Sequence, residues 1–170
     1  MKVSEGLIKK LMEFEGLRLE AYEDAAGVPT IGYGHTAGVR MGDRISEYWA
    51  KELLLADVAV AEREVEALEM ELTQGQWDAL VSFVFNLGIG RLKSSTLLKV
   101  IRSGGSMRQI RREFMRWVHA GGVVMKGLEK RRAWEAKRFF EEDLMEPMKV
   151  RDWSDFHKLQ KKEKTTNCTN

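Results

Sequence analysis

The chain is poor in several features that would have narrowed its class. Its 170 residues include one cysteine, Cys168, which excludes an intramolecular disulfide framework and fits folding in a reducing compartment. Asn167-Cys168-Thr169 matches a glycosylation sequon only at a frayed end. No run reaches the roughly 18 apolar residues of a membrane span. Nor does the start read as a signal peptide, because Glu5, Lys9, Lys10 and Glu13 interrupt any apolar core, so the expectation is cytoplasmic synthesis without an export signal. The three histidines, His35, His119 and His157, are far apart, and there is no HExxH, so neither a metal nor an organic cofactor is expected. A nucleophile elbow and a phosphate loop are missing too. Gly32-Tyr33-Gly34 lacks the third glycine and following helix of a dinucleotide site; its use is close backbone approach.

Net charge is also small, at +2, but it is unevenly spread. Residues 1–86 hold 8 Lys/Arg against 16 Asp/Glu, whereas residues 87–170 hold 20 against 10. Two readings stay open: an anionic partner for the second half, or halves that neutralise each other in the fold. The basic run from Arg108 to Arg138 does not read as a nucleic-acid face. Phe114, Trp117, Val118, Leu128, Trp134 and Phe139 fall at the spacing of helix core stripes, and the charges between them read as solvated faces.

What is present is a dense stretch from Phe14 to Thr36, FEGLRLEAYEDAAGVPTIGYGHT. Ser4 caps an amphipathic helix with Leu7, Ile8, Leu11 and Phe14 on one face; Glu15 closes it, and Gly16 can take the left-handed ending. Leu17, Leu19 and Ala21 then alternate with Arg18, Glu20 and Tyr22, which predicts a strand with one buried face. Asp24-Ala25-Ala26-Gly27 is turn chemistry, and Thr30, Ile31 and Tyr33 resume a β-rich run. This folding would bring Asp24 and Thr30 back toward the helix end that bears Glu15. Glycoside cleavage needs one protonated and one ionised carboxyl, and Glu15 suits the first role and Asp24 the second. Two ordinary surface acids would look the same on spacing alone. His35 is expected to bond a backbone or carboxylate partner and hold the region together.

Farther on, Ser46 caps a helical stretch from Glu47 to Leu72, as one piece or with a break. Thr73-Gln74-Gly75-Gln76 is a capping-box signature opening an apolar helix that Asn86-Leu87-Gly88-Ile89-Gly90 ends. Shorter helices are predicted at about 95–103, 106–119 and 127–142. Pro147 breaks the pattern, and a basic segment from Ser154 to Lys164 with Trp153, Phe156 and Leu159 offers a short helix before a polar end.

Glu15-Gly-Leu-Arg-Leu, the spacing from Glu15 to Asp24 to Thr30, and Ile31-Gly-Tyr-Gly-His35 together resemble the phage lysozymes or endolysins of glycoside hydrolase family 24. QGQWDALVSFVFNLGIG, SSTLL, EFMRWVHAGG and GLEKRR..E follow in the family's order, so the resemblance spans residues 4–142. Lys126 departs from it, standing where a proline often precedes Gly-Leu.

The resemblance implies an α+β, lysozyme-like fold, mainly helical with a small β-hairpin lobe. Residues 1–145 would form the domain: 17–45 the β lobe, 46–72 a connecting helix, and 1–16 with 73–145 the helical lobe. The resemblance does not reach residues 146–170, whose composition reads as a C-terminal extension, partly disordered. It implies a monomeric peptidoglycan hydrolase (an N-acetylmuramidase) that cleaves the β-1,4 bond between N-acetylmuramic acid and N-acetylglucosamine with inversion, for host lysis. Glu15 would be the general acid, Asp24 the carboxylate directing water, and Thr30 a hydroxyl holding that water. Thr36, Phe85, Asn86 and Ser95 would contact the glycan. A phage holin would release the enzyme from the host cytoplasm to the wall in the periplasm. On its residues alone the tail reads either as a short helix packed on the lobe or as a basic amphipathic membrane contact. Two other classes stay open: a lytic transglycosylase on the same bond, and a non-catalytic wall-binding protein on a lysozyme scaffold.

Overall fold

The computed structural model describes residues 1–141, and the expected tail helix and extension lie outside them. In chain order the elements are α1 (Glu5–Glu15), β1 (Arg18–Glu23), β2 (Pro29–Gly32), α2 (Glu47–Glu66), α3 (Gln74–Leu87), α4 (Ile89–Ser94), α5 (Thr96–Arg102), α6 (Met107–Phe114), β3 (His119–Ala120), β4 (Val123–Val124) and α7 (Lys126–Arg138). Each strand pair is an antiparallel two-stranded sheet.

The helix at the centre is α3. It starts on a full capping box between Thr73 and Gln76, as the sequence predicts. Trp77, Leu80, Val81, Phe83 and Val84 are all buried, so this helix is apolar on more than one face. Leu7 and Leu11 of α1, Leu54, Val58 and Val65 of α2, and Phe114 complete the core around it. Gly75 is required where α7 crosses: a Cβ there would collide with the Arg138 and Glu141 carbonyl oxygens.

The start of α1 is anchored by a group that periodicity does not reveal. Asp78 is fully buried on α3. It accepts from the Ser4 amide at 2.9 Å and from the Ser4 hydroxyl, and from Arg138 Nη2 at 2.9 Å. Thus one carboxylate ties α1, α3 and α7 together. Ser4 is also the predicted cap, accepting from the Leu7 amide.

Four expectations change. The stretch read as helix to Leu72 stops at Glu66, and Glu69 has φ 52°. Residues 66–72 are good helix formers, but Leu68 must enter the core before Thr73 starts α3 in a new direction. The helix expected over 106–119 ends at Phe114, and Gly121-Gly122, both at positive φ, turn a short hairpin instead. A short α4 stands where no helix was predicted. Finally, β1 has no buried face: Leu17 and Leu19 are 36% and 37% exposed. Residues 43–45 run along its free edge, Ile45 N bonding Leu19 O at 2.9 Å, but no second layer covers it. The buried strand is β2, where Thr30, Ile31 and Gly32 lie against α2 at Ala50.

Candidate active site

Glu15 is the last residue of α1, and Gly16 ends the helix with φ 69°. The carboxylate is therefore presented at a helix end, where it forms an ion pair with Arg131 of α7. Arg131 is 3% exposed, donates through Nη2 to the Ser82 carbonyl at 3.2 Å, and lies 5.2 Å from the Phe14 ring centre and 5.8 Å from that of Phe85. Its cation is thus held between two rings and a carbonyl. Gly34 approaches Glu15 from the other side, at φ 90°, and a Cβ there would stand 3.4 Å from Oε2.

Asp24 sits in the turn between β1 and β2. Its Oδ1 accepts the Ala26 amide at 2.8 Å and the Val28 amide at 2.9 Å. Thr30 is 3% exposed and its hydroxyl donates to the Val28 carbonyl at 2.9 Å. Val28 therefore links the two side chains, its N–H bonded to one and its C=O to the other. Asp24 is half-buried.

His35 joins this segment to α2. Nδ1 lies 2.8 Å from Asp57 Oδ2, and Nε2 lies 3.0 Å from the Ala37 carbonyl. The fixed turn before it is closed by mutual amide–carbonyl bonds between Ile31 and His35, both 2.9 Å.

A cleft of about 390 Å³ opens between this segment, α2 and the end of α3. Glu15, Thr36, Phe85 and Asn86 line it, with His35 and Glu64. Asn86 is steadied by Arg132 Nη2 at 2.8 Å to its Oδ1. Asp24, on the turn, and Thr30, in β2, lie outside this lining. Ser95, expected to contact the glycan, is only 5% exposed and caps α5, accepting the Leu98 amide at 3.1 Å and donating to the Leu92 carbonyl at 2.7 Å. Its hydroxyl is spent on the backbone. Sequence reasoning placed Arg131 and Arg132 in a family block and on solvated helix faces and assigned them no acid within the protein; a buried arginine needs one, and that need was the available signal.

Behind Arg131 and Arg132 stands Glu135, at 0% exposure. Burial pushes its carboxyl above the usual range, against the pull of Arg132 and Arg131; burial likewise lowers Arg132, against Glu135.

Fold and cleft together define a mainly helical, lysozyme-like protein with a small β-hairpin lobe. The phage lysozyme profile matches residues 12–135. The endolysin of Bacillus phage B103 is 42% identical over 146 residues, 82% of this chain and 54% of that protein. This chain therefore spans about half the length of that curated relative. Among solved structures, the muramidase domain of SpmX from Asticaccaulis excentricus superposes with TM-score 0.75 at 34% identity, covering 82% of this chain and 98% of that one. An endolysin from Escherichia coli O157:H7 phage FAHEc1 gives 0.74 at 36% identity, covering 87% and 98%. The chain belongs to the phage lysozyme family.

Proposed function

We propose that this protein is an endolysin that hydrolyses peptidoglycan for host lysis, cutting the β-1,4 bond between N-acetylmuramic acid and N-acetylglucosamine. The observation that carries the reading is Glu15, seated in the cleft and oriented by a buried arginine. In its protonated form Glu15 gives a proton to the leaving glycosidic oxygen. Asp24 directs the attacking water from the turn. Thr30 has committed its proton to the Val28 carbonyl, so its oxygen is left to accept from that water. A water whose hydrogens bond Asp24 and Thr30 turns a lone pair toward the sugar. Inversion follows if the carboxyls stand roughly 6.5–9.5 Å apart around that water. Thr36, Phe85 and Asn86 contact the glycan from the cleft wall.

Among the described residues no helix is long and apolar enough to cross a membrane. In this reading the enzyme waits in the host cytoplasm until a holin opens the membrane, and then acts on the wall.

The test is Glu15→Gln in a turbidity assay on permeabilised cells. The amide cannot donate as an acid, so lysis should fall about 10²–10⁴-fold with the melting temperature kept. Wild-type lysis by the folded variant removes the reading. Product mass separates the chemistries, since a transglycosylase leaves an anhydro-sugar and a wall-binding protein leaves no product.

A further inference from the structure

One buried carboxylate stands behind two separate cleft residues. Glu135 Oε1 accepts from the Ser82 hydroxyl at 2.7 Å and lies 3.5 Å from Arg131 Nε; its Oε2 lies 3.0 Å from Arg132 Nε. Both contacts are ion pairs between fully enclosed groups. The far ends of the two guanidiniums then diverge. Arg131 Nη1 reaches Glu15, and Arg132 Nη2 reaches Asn86. Phe83 lies beneath Arg132, 4.9 Å from ring centre to Cζ.

We propose that Glu135 is a positioning residue for the reaction, holding Arg131 on Glu15 and Arg132 on Asn86. The inference rests on Glu15 being the general acid. Arg131, Arg132, Glu15 and Glu135 form a balanced set only while both acids are ionised. When Glu15 carries the proton it must donate, Glu135 alone opposes two buried cations. If Glu135 were neutral, both guanidiniums would act on Glu15 and favour its carboxylate, which is useless as an acid. Ser82 and Asn86, facing the cluster from α3, are uncharged. His35, Asp57 and Glu64 line the cleft that Glu15 faces and are the same in every variant below. Orientation matters as well as charge, since a misplacement of about 1 Å can cost 10²-fold in rate.

The experiment compares wild type, Glu135→Gln and Glu135→Asp, each as the full chain, by steady-state cleavage of soluble peptidoglycan fragments across pH, with thermal melts alongside. Glutamine should lower kcat roughly 10–100-fold with KM little changed, and move the alkaline limb of the pH profile to lower pH. Aspartate keeps the charge but withdraws it by a methylene, so it should fall between the two on both readouts. A purely structural Glu135 predicts a lower melting temperature with the wild-type pH profile, and that outcome overturns the proposal. So does a glutamine variant with wild-type kcat. Should glutamine prevent folding, aspartate decides by the same two readouts. Inactivity of the wild type would instead sink the reading of the active site itself.

Discussion

At the scale of single residues, the side chains that organise this molecule are buried charges with several partners each. Ser4 and Arg138 converge on the carboxylate of Asp78, which is fully enclosed. Removing it would take from Arg138 its buried acid, leaving the half-exposed Glu141 at 3.5 Å, and would unfasten the start of α1. Asp78→Ala is expected to cost about 3–5 kcal/mol, read by urea denaturation. A loss under 1 kcal/mol would show that Ser4 and Arg138 find other partners. Sequence reading singled out Glu15 and Asp24 through a family pattern that is local, within one helix end and one turn, and of the two Glu15 lines the cleft. It did not assign Asp78, Arg131 or Glu135 their distant partners, which lie 49–116 positions away along the chain.

Elements were legible where a signal is confined to a few residues. Ser4, Ser46 and Thr73 each cap the helix expected of them, because an N-cap acts on the amides two or three places on. Helix ends without a local stop were misplaced: α2 runs on in propensity but not in space. The end of α6 shows what governs instead. Glu113 accepts from Thr96 at the start of α5 and from Arg116 at 3.0 Å, and these bonds, Thr96 first, hold its carboxyl below the usual range despite burial. A depressed folded pKa gives stability that is complete above the unfolded carboxyl value, about 4.3, and is lost as pH falls through the folded value. Glu113→Gln should therefore melt lower than wild type at pH 7, and its melting temperature should fall less between pH 6 and pH 3. Parallel acid curves for the two proteins would contradict this.

Over the whole molecule, the join between the β-hairpin segment and the helices is narrow. His35 and Asp57 form one of its polar links, and β2 lies on α2 at Ala50 as the apolar part. The expectation that His35 would bond a backbone or carboxylate partner came from its place after two glycines; the structure supplies both kinds at once. His35→Ala is expected to lower stability by about 1–3 kcal/mol, with faster amide exchange over residues 29–37 than in the helices. Uniform exchange throughout would mean that the apolar contact alone holds the join. The broad fold was legible because the family's blocks follow one another in order. The depth of the cleft was not, since it depends on how α1 docks against helices from the far end of the chain.

That docking bears on how the protein is made. Arg131 leaves the ribosome 116 residues after Glu15, and Arg138 later still. Until α7 has emerged, the nascent α1 can reach Asp78 of α3, but Asp78 lacks Arg138 and Glu15 lacks Arg131. A prematurely terminated polypeptide lacking α7 would carry the whole Glu15-to-His35 stretch and still be unable to pair Glu15 with Arg131, so the cleft is completed only once α7 has been made.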